Sequence, residues 1–215
     1  MDITNTNAPQ RVAIVTGGSG GIGRVTAERL ARDGMAVVVH YAGNKARADE
    51  TVEAITKAGG TAMSAQGDVA NEQAMADMFS AATQAYGGVD VVVNTAGLMI
   101  LAPVVDFKLE DLDRMHRTNI RGTFVVSQLA AQQVRRGGAI INFSTSVVEL
   151  ALPTYAAYSS SKGAVEALTP ILAKELGSKD ITVNAVAPGP TATPRCQDTI
   201  WGWSKLHFLP SVGVS

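Results

Sequence analysis

The alternation of short apolar runs with longer stretches of helical period constrains the fold of this chain more than any other feature. Runs rich in Val and Ile predict buried strands, because a parallel sheet covered on both faces needs apolar side chains on both sides. Strands are predicted at residues 12–15, 36–40, 61–65, 89–93, 139–143 and 181–186. Helices are predicted between them, at residues 22–33, 45–58, 71–86, 109–135 and 155–177. This order is typical of βαβ units, so the sequence predicts an α/β fold with a three-layer, doubly wound parallel sheet.

The composition is that of one globular domain and argues against a nucleic-acid or membrane partner. Of the 215 residues, 46% are hydrophobic and 17% are charged, which allows a sizeable core. The 18 Lys and Arg residues are balanced by 19 Asp and Glu residues without a basic block, so the electrostatic footprint of a nucleic-acid-binding protein is missing. The apolar runs are far shorter than the roughly 20 residues that span a bilayer.

Cysteine and histidine usage predicts neither a disulfide nor a metal site. Cys196 is the one cysteine, so the chain can form no intrachain disulfide and no Cys-based zinc site. His40, His116 and His207 lack the spacing of metal ligands, and we interpret them as packed or solvated side chains. Residues 1–10 have neither the apolar segment of a secretory signal nor the character of a transit peptide. We therefore expect a cytoplasmic protein.

A glycine-rich loop, TGGSGGIG at residues 16–23, joins the first predicted strand to the first predicted helix. Glycines let the backbone turn tightly and approach a pyrophosphate, and the helix that follows offers N–H groups and the positive end of its dipole. The loop predicts the dinucleotide site of a Rossmann fold, although a tight turn without a ligand and a methyl-donor site are alternatives. The residues expected to bind the cofactor are Gly17, Ser19, Gly20, Gly21, Ile22 and Gly23.

The residues after the second predicted strand indicate which dinucleotide is bound. An acidic residue there would bind the ribose 2′-hydroxyl of NAD and repel the 2′-phosphate of NADP. This chain has Tyr41, Ala42 and Asn44 instead, followed by the basic residues Lys45 and Arg47. The segment therefore favours NADP(H) over NAD(H), unless the two basic side chains are only solvated charges in the first turn of a helix.

Tyr158 and Lys162 are four residues apart in a predicted helix, so their side chains share one face. A nearby ammonium group lowers the pKa of a phenol, because the positive charge favours the phenolate. A tyrosine of this kind can exchange a proton with a carbonyl or alcohol oxygen near neutral pH. The pair is a candidate catalytic pair, whereas in isolation the same spacing is more often an ordinary surface contact.

Six motifs occur along the chain: the glycine pattern of residues 16–23, Asn94-Thr95-Ala96-Gly97, Asn119, the hydroxyl cluster at residues 144–146, Tyr158-x-x-x-Lys162 and Pro188-Gly189. With these motifs in this order, the chain resembles the short-chain dehydrogenase/reductase family over about residues 10–194, and most resembles its carbonyl and 3-oxoacyl reductases. Any one of these matches could arise by chance, but six in the family's order are specific.

The resemblance implies roles for individual residues. Tyr158 would be the acid/base and would also contact the cofactor. Lys162 would lower the pKa of Tyr158 and bind the nicotinamide ribose, and Asn119 would hold a water in a proton relay. The further cofactor contacts that the resemblance implies are Asp68 and Val69 at the adenine, Asn94, Ala96 and Gly97 beside the ribose, and Pro188, Gly189 and Thr191 at the nicotinamide.

Two positions depart from the family's pattern. Thr95 stands where the family usually has a second Asn, a change that could weaken hydrogen bonding at the centre of the sheet. The family's catalytic serine aligns without gaps to Thr145, but a shift of one residue would place Ser146 there. Either hydroxyl could polarise a carbonyl, and the gap-free alignment favours Thr145.

Residues 195–215 form a tail that does not resemble the family, whereas residues 1–194 are predicted to form the dinucleotide-binding domain with the catalytic residues. The family normally adds a further helix and a seventh strand, and this strand is not recognisable here. A truncated or frame-shifted reading frame is one explanation, and a short variant with a tryptophan-rich lid is another. The homo-oligomer that the resemblance implies is in doubt for the same reason.

Taken with the resemblance, the residues predict an NADP-dependent oxidoreductase that transfers a hydride between the nicotinamide and a small-molecule carbonyl or alcohol substrate. The alternative is a protein that binds a dinucleotide but is catalytically impaired by its divergent end. A methyltransferase is disfavoured by the Tyr158 and Lys162 pair.

Overall fold

The apolar runs form one parallel sheet in the computed structural model, which describes residues 10–191. Its strands are β1 (Val12–Thr16), β2 (Ala36–Tyr41), β3 (Thr61–Gln66), β4 (Val89–Asn94), β5 (Val134–Phe143) and β6 (Thr182–Val186). They lie in the order β3-β2-β1-β4-β5-β6, and every neighbouring pair is parallel. The predicted α/β fold with six strands is thereby confirmed.

Burial along the strands follows their position in the sheet. Every residue of β1, β2 and β4 is buried, as the uninterrupted apolar runs predict for central strands covered on both faces. The edge strands β3 and β6 are only partly buried or mostly exposed. The centre of the sheet therefore carries most of the apolar burial and provides a rigid base for the loops that follow β1 and β4.

The helices connect the strands as predicted, with one exception. They are α1 (Gly21–Arg32), α2 (Lys45–Lys57), α3 (Glu72–Tyr86), α4 (Leu109–His116), α5 (Gly122–Gln133), α6 (Val147–Leu150) and α7 (Ala156–Leu176). Most predicted bounds agree with these to within one or two residues. The exception is the long helix predicted at residues 109–135, which is interrupted by a π-helical turn over Arg117–Arg121.

The prediction that this helix extends to Arg135 was wrong, because the chain leaves the helix at Gln133 and β5 begins at Val134. Val134 pairs with Val89 of β4, and Arg135 forms an ion pair with Asp90, so sheet contacts override the helical period. Gly138 allows the close approach of the two strands, since a Cβ built on it would lie 2.4 Å from the carbonyl oxygen of Asp90.

Helices cover the two faces of the sheet separately. Helices α1 and α2 pack on β1, β2 and β3, while α3, α5 and α7 contact the opposite face. The core on the α1 and α2 side includes Val15, Ala27, Val39 and Val91, and the core on the other side includes Ile14, Phe79, Val92 and Ile140. Successive β1 residues, Ile14 and Val15, thus point to different cores, which is the alternation that a strand imposes.

The strand order reverses between β1 and β4. The chain leaves β1 for α1 on one face and leaves β4 for α4 and α5, and α5 packs on the other face. A crevice opens outside the carboxyl ends of two such strands, and ligands of doubly wound sheets bind there. The fold therefore places the candidate site at the ends of β1 and β4.

Several expectations concern residues outside the described range 10–191. These are the tail at residues 195–215, the seventh strand, Cys196 and His207, together with residues 1–9 and 192–194 of the predicted domain. Within residues 10–191, none of the helices combines the length and apolar character needed to cross a membrane.

Candidate active site

The glycine-rich loop leaves β1 and packs against the turn that follows β4. Gly17 has a φ of +68°, and a Cβ built on it would lie 3.1 Å from both N and Cα of Ala96. Gly23 is still more confined, since a Cβ there would lie 2.4 Å from the carbonyl oxygen of Gly17. Gly20 differs, because a Cβ built on it would meet no atom within 4 Å. The loop is thus closely packed on its inner side and open on the side where a ligand could approach.

Helix α1 begins directly after this loop. Gly20 is its N-cap residue and Gly21 its first residue, and its first turn contains no acidic side chain. The first N–H groups of a helix have no acceptor within the helix, and the helix dipole is positive at this end. The half-buried residues Ser19 and Ile22 flank the cap. This end of α1 can therefore accept an anionic group such as a pyrophosphate.

The end of β2 presents the residues that bear on the choice of dinucleotide. Tyr41 is buried, while Ala42 and Asn44 are exposed. Asn44 caps α2, because its side-chain oxygen accepts a hydrogen bond from the Arg47 N–H at 3.0 Å. Lys45 pairs with Asp49 at 2.6 Å, and that hydrogen bond raises the pKa of the lysine. No carboxylate occupies the end of the strand itself.

Asp68 and Val69 follow β3 and lie against the turn between α4 and α5. The Asp68 carboxylate accepts hydrogen bonds from the Ala70 N–H at 2.9 Å and from Arg117 at 2.8 Å. Burial acts to raise the pKa of Asp68, but these hydrogen bonds outweigh it and the pKa is lowered. Val69 is buried against Gly122, where a Cβ would lie 2.5 Å from its side chain. Asp68 and Val69 are therefore both held against the segment between α4 and α5, the first by hydrogen bonds and the second by packing.

The turn after β4 is joined to β1 by side-chain hydrogen bonds. Thr16 donates from its hydroxyl to the Asn94 side-chain oxygen at 2.7 Å and accepts from the Ala96 N–H at 3.2 Å. The Thr95 hydroxyl donates to the Thr16 carbonyl oxygen and also limits the space at Gly23. Thr95 therefore forms a contact of its own between the end of β1 and the turn after β4.

Asn119 lies in the π-helical turn and is fully buried. Its side-chain oxygen accepts from the Leu98 N–H at 2.8 Å, and its amide nitrogen donates to the Leu98 carbonyl and to the Ser161 hydroxyl at 2.8 and 2.9 Å. The side chain thus joins the segment after β4 to α7. A π-helical turn of this kind is often found at a functional site.

Lys162 is the buried cation of the site. Its Nζ donates to the Phe143 carbonyl at 2.7 Å and lies 6.0 Å from the centre of the Tyr158 ring. Burial lowers the pKa of Lys162 to about 8. A Cβ built on Gly97 would lie 3.5 Å from both Lys162 Nζ and Asn119 Oδ1, so the backbone after β4 approaches both side chains. The fold brings Gly97, Asn119, Tyr158 and Lys162 together.

The hydroxyl cluster after β5 lies beside the segment that follows β6. The Ser144 hydroxyl donates to Glu166 of α7 at 2.5 Å, and the buried Thr145 hydroxyl accepts from the Val147 N–H at 3.4 Å. Ser146 precedes α6, and its hydroxyl would lie 3.7 Å from a Cβ built on Gly189. Both candidate hydroxyls are therefore at the same edge of the sheet, Thr145 inside and Ser146 towards the Pro188-Gly189 segment.

The segment that follows β6 is hydrogen-bonded to this hydroxyl cluster. The Ser146 N–H donates to the Pro188 carbonyl at 3.1 Å, and the Thr191 hydroxyl donates to the Gly189 carbonyl at 3.0 Å. Pro188 is half-buried, whereas Gly189 and Thr191 are exposed. The segment reaches the carboxyl end of the sheet beside Thr145 and Ser146, and the chain beyond Thr191 lies outside the described residues.

Several residues that support the site were missed from the sequence. Arg117 holds Asp68, Ser161 holds Asn119, and Glu166 holds Ser144, all across separations of more than 20 residues. The sequence signals for these were absent, since each is an ordinary polar residue on a helix. His40, interpreted as packed or solvated, is buried beneath the glycine loop. The partners of these side chains lie far away in the sequence, so their hydrogen bonds could not be predicted before the fold was known.

Comparisons with known proteins identify the family to which the chain is similar. A family model described as "short chain dehydrogenase" matches residues 11–200. A short-chain type dehydrogenase/reductase of Picea abies is 43% identical over 196 residues, which are 85% of this chain and 71% of the relative. A versicolorin reductase of Emericella nidulans is 39% identical over 184 residues, 85% of this chain and 70% of the relative.

Solved structures show the same similarity in three dimensions. A dehydrogenase/reductase from Sinorhizobium meliloti 1021 superposes with a TM-score of 0.84 at 37% identity, covering 87% of this chain and 75% of that one. A short chain dehydrogenase from Burkholderia cenocepacia J2315, in complex with NADP, superposes with a TM-score of 0.83 at 35% identity, covering 88% and 78%. With its crevice, its glycine loop, Tyr158 and the buried Lys162, this chain belongs to the short-chain dehydrogenase/reductase family of oxidoreductases.

Proposed function

We propose that the protein is an NADP-dependent oxidoreductase that interconverts a carbonyl and an alcohol on a small-molecule substrate. The observation that carries the proposal is the position of the buried Lys162 ammonium 6.0 Å from the Tyr158 ring, next to the backbone at Gly97. A buried cation beside a phenol favours the phenolate, so Tyr158 can give up and recover a proton near neutral pH.

The crevice between β1 and β4 suits a dinucleotide. Gly17 and Gly23 allow the loop to turn beneath it, and the open side of Gly20 together with the first N–H groups of α1 suits a pyrophosphate. Asp68 and Val69 would contact the adenine, and Asn94, Ala96 and Gly97 would pass beside the ribose. The cofactor supplies the hydride chemistry, and the protein supplies orientation and electrostatics.

NADP(H) is favoured over NAD(H) by the end of β2. No carboxylate is present there to repel a 2′-phosphate, and Tyr41, Ala42 and Asn44 would border that phosphate. Among residues 10–191, Arg47 forms no ion pair, so its guanidinium is available to an anion. The NADP complex of the Burkholderia cenocepacia relative supports the same preference.

In the reductive direction, Tyr158 would donate its hydroxyl proton to the substrate oxygen as the carbonyl becomes an alcohol. Thr145 or Ser146 would donate a hydrogen bond to the same oxygen and polarise the carbonyl. Lys162 would stabilise the phenolate and bind the nicotinamide ribose, with Asn119 holding a water in a proton relay. Pro188, Gly189 and Thr191 would border the nicotinamide.

Thermal melts of the whole chain, alone and with NADPH or NADH, test the binding part of this proposal. A ligand present at 100 times its dissociation constant adds about 2.7 kcal/mol to the free energy of unfolding, or roughly 5–10 °C in Tm. We expect a larger rise with NADPH than with NADH, followed by NADPH oxidation with members of a panel of ketones and aldehydes. Binding without turnover on the whole panel would instead indicate a catalytically impaired dinucleotide-binding protein.

We also propose a cytoplasmic homo-oligomer. A cytoplasmic location is supported by the single cysteine, which fits a reducing compartment. Assembly is supported by exposed apolar side chains on helices at the surface, Leu109, Phe124 and Ile171. Cell fractionation and size-exclusion chromatography with light scattering test the two statements separately.

A further inference from the structure

His40 is a buried histidine at the end of β2, with only 1% of its surface exposed. Its two ring nitrogens face two different segments. Nδ1 lies 3.2 Å from the backbone N of Gly17, and Nε2 lies 3.0 Å from the carbonyl oxygen of Gly67. The imidazole therefore contacts the first glycine of the glycine loop and the residue that precedes Asp68.

The two partners determine which nitrogen carries the proton. A backbone N–H can only donate, so Nδ1 must present its lone pair to Gly17, and a carbonyl can only accept, so Nε2 must carry hydrogen for Gly67. Burial lowers the pKa of His40, which favours this neutral form near pH 7. An imidazolium would have no lone pair for Gly17 and would lose that hydrogen bond.

The two segments held by His40 are both expected to contact the cofactor, the glycine loop at the pyrophosphate and the segment after β3 at the adenine. Gly17 has positive φ and packs on Ala96, so its N–H cannot turn elsewhere without moving the loop. Gly67 donates its own N–H to the Tyr41 carbonyl at 3.0 Å, and Asp68 follows it directly. His40 is thus a bridge across the end of β2, and both of its hydrogen bonds are to backbone.

We propose that His40 is a positioning residue for the dinucleotide, whose neutral imidazole sets the spacing between the glycine loop and the Gly67–Val69 segment. A residue that only filled space would need no nitrogen at either place, whereas this ring has a donor and an acceptor that match their partners. The inference deepens the proposed function and rests on it. Loss of the bridge should weaken the binding of NADPH while leaving the chemistry at Tyr158 unchanged.

The test compares three replacements of His40 in the whole chain. His40→Phe keeps a planar ring and removes both nitrogens. His40→Asn places an amide oxygen close to the former position of Nδ1, where it can accept a hydrogen bond from the Gly17 N–H. His40→Gln reaches towards the former position of Nε2, where its amide nitrogen can donate a hydrogen bond to the Gly67 carbonyl. His116→Phe is the matched control, because the same change is made at a half-buried histidine on α4. The Kd for NADPH, the kcat at saturating NADPH and the Tm without ligand are measured for each.

We expect the Kd for NADPH to rise about tenfold in His40→Phe, the scale of a lost hydrogen bond that leaves a buried partner unpaired. His40→Asn and His40→Gln should each recover part of this loss, with kcat within about twofold of the wild type. His116→Phe should bind as the wild type does. If His40→Phe does not fold, the test rests on His40→Asn and His40→Gln. Each of these variants should bind NADPH at least twofold more weakly than the wild type.

Three results would overturn the inference. One is a folded His40→Phe that binds NADPH with the Kd of the wild type. A second is equal losses of Tm and affinity in all three variants without recovery by either amide, since that pattern belongs to a packing role. A third is amide variants that bind as the wild type does when His40→Phe is unfolded. A wild-type chain that binds neither NADPH nor NADH would contradict the proposed function itself, and this inference with it.

Discussion

The two halves of the candidate site are built from different parts of the chain. The nucleotide half, formed by β1 to β3 with α1 and α2, is shaped by backbone, in particular by Gly17 and Gly23 where no Cβ fits. The catalytic half, formed by β4 to β6 with α5 and α7, is shaped by the side chains of Asn119, Tyr158 and Lys162. We therefore expect steric fit to matter most at the glycine loop of the first half, and protonation and charge to matter most in the second half.

This difference implies that substitutions in the two halves fail in different ways. A side chain added to the nucleotide half should displace the loop and reduce both stability and cofactor affinity. A functional group removed from the catalytic half should strongly reduce turnover without destabilising the fold. The four predictions that follow test this separation, beginning with the largest expected effect.

Tyr158→Phe should lower kcat by about 10²–10⁴-fold, because general acid catalysis contributes a factor of that size. The Kd for NADPH should stay within about twofold of the wild type, since only a hydroxyl is lost. Initial rates of NADPH oxidation and a fluorescence titration measure the two quantities. Tyr155→Phe is the matched control, because Tyr155 precedes the same helix and is also half-buried. Full turnover in Tyr158→Phe would contradict the mechanism.

Gly23→Ala should weaken the binding of NADPH at least tenfold and lower the free energy of unfolding by about 2 kcal/mol, as overpacking does. The new Cβ would lie 2.4 Å from the Gly17 carbonyl oxygen and 2.6 Å from the Thr95 hydroxyl, so the loop must move. Gly20→Ala is the control for stability, since its Cβ meets nothing within 4 Å. Equal Tm values for the two variants would show that the inner packing of the loop is unimportant.

Lys162→Met should abolish turnover and yet stabilise the protein without ligand by about 2 kcal/mol at pH 7. Burial lowers the pKa of Lys162 from 10.5 to about 8, so the buried ammonium destabilises the wild type by about 3 kcal/mol at pH 7. The variant avoids this cost but loses the hydrogen bond to the Phe143 carbonyl, which is worth about 1 kcal/mol. Urea denaturation measures the difference. Lys174→Met on the same helix is the control, because Lys174 is exposed.

The pH dependence of this effect has a definite sign. Between pH 8 and 10.5 the unfolded chain binds the lysine proton and the folded chain does not, so the free energy of unfolding of the wild type rises with pH over this interval. Below pH 8 the cost of the buried ammonium is present in full. The advantage of Lys162→Met should therefore shrink as pH rises from about 8, and an advantage that stayed constant would contradict a buried charged lysine.

The combined change Lys45→Gln and Arg47→Gln should reduce the preference for NADPH over NADH about fivefold, a modest effect because exposed charges are screened by solvent. The ratio of the two dissociation constants measures it. Lys57→Gln, at the other end of α2, is the control and should leave the ratio unchanged. An unchanged ratio in the combined variant would indicate that both charges are only solvated.

Much of the fold could be predicted from periodicity, because each strand at the centre of the sheet is apolar along most of its length. The residues that could not be predicted lie where tertiary contacts override a local pattern. Val134 and Arg135 continue a helical period in sequence but join β5, since pairing with Val89 and Asp90 stabilises the strand. The π-helical turn at Arg117–Arg121 likewise had no signal in the sequence.

The candidate site shows the same division. The spacing of Tyr158 and Lys162 predicts that they share a helix face, because i and i+4 are neighbours on any helix. The positions of Thr145 and Ser146 could not be told apart by counting. The structure places the first inside and the second facing Gly189, and this difference depends on how the segment after β6 returns to the sheet.

The sequence by itself determined the order of strands and helices, the glycine loop and the Tyr158 and Lys162 pair, because these depend on local periodicity and short spacing. Only the tertiary structure decided which distant groups meet. It brought Gly17 and Gly67 to the two nitrogens of His40, and Leu98 and Ser161 to Asn119. Such contacts join residues that are 21 to 42 positions apart, and a hydrogen bond across that distance exists only once the sheet has set the geometry.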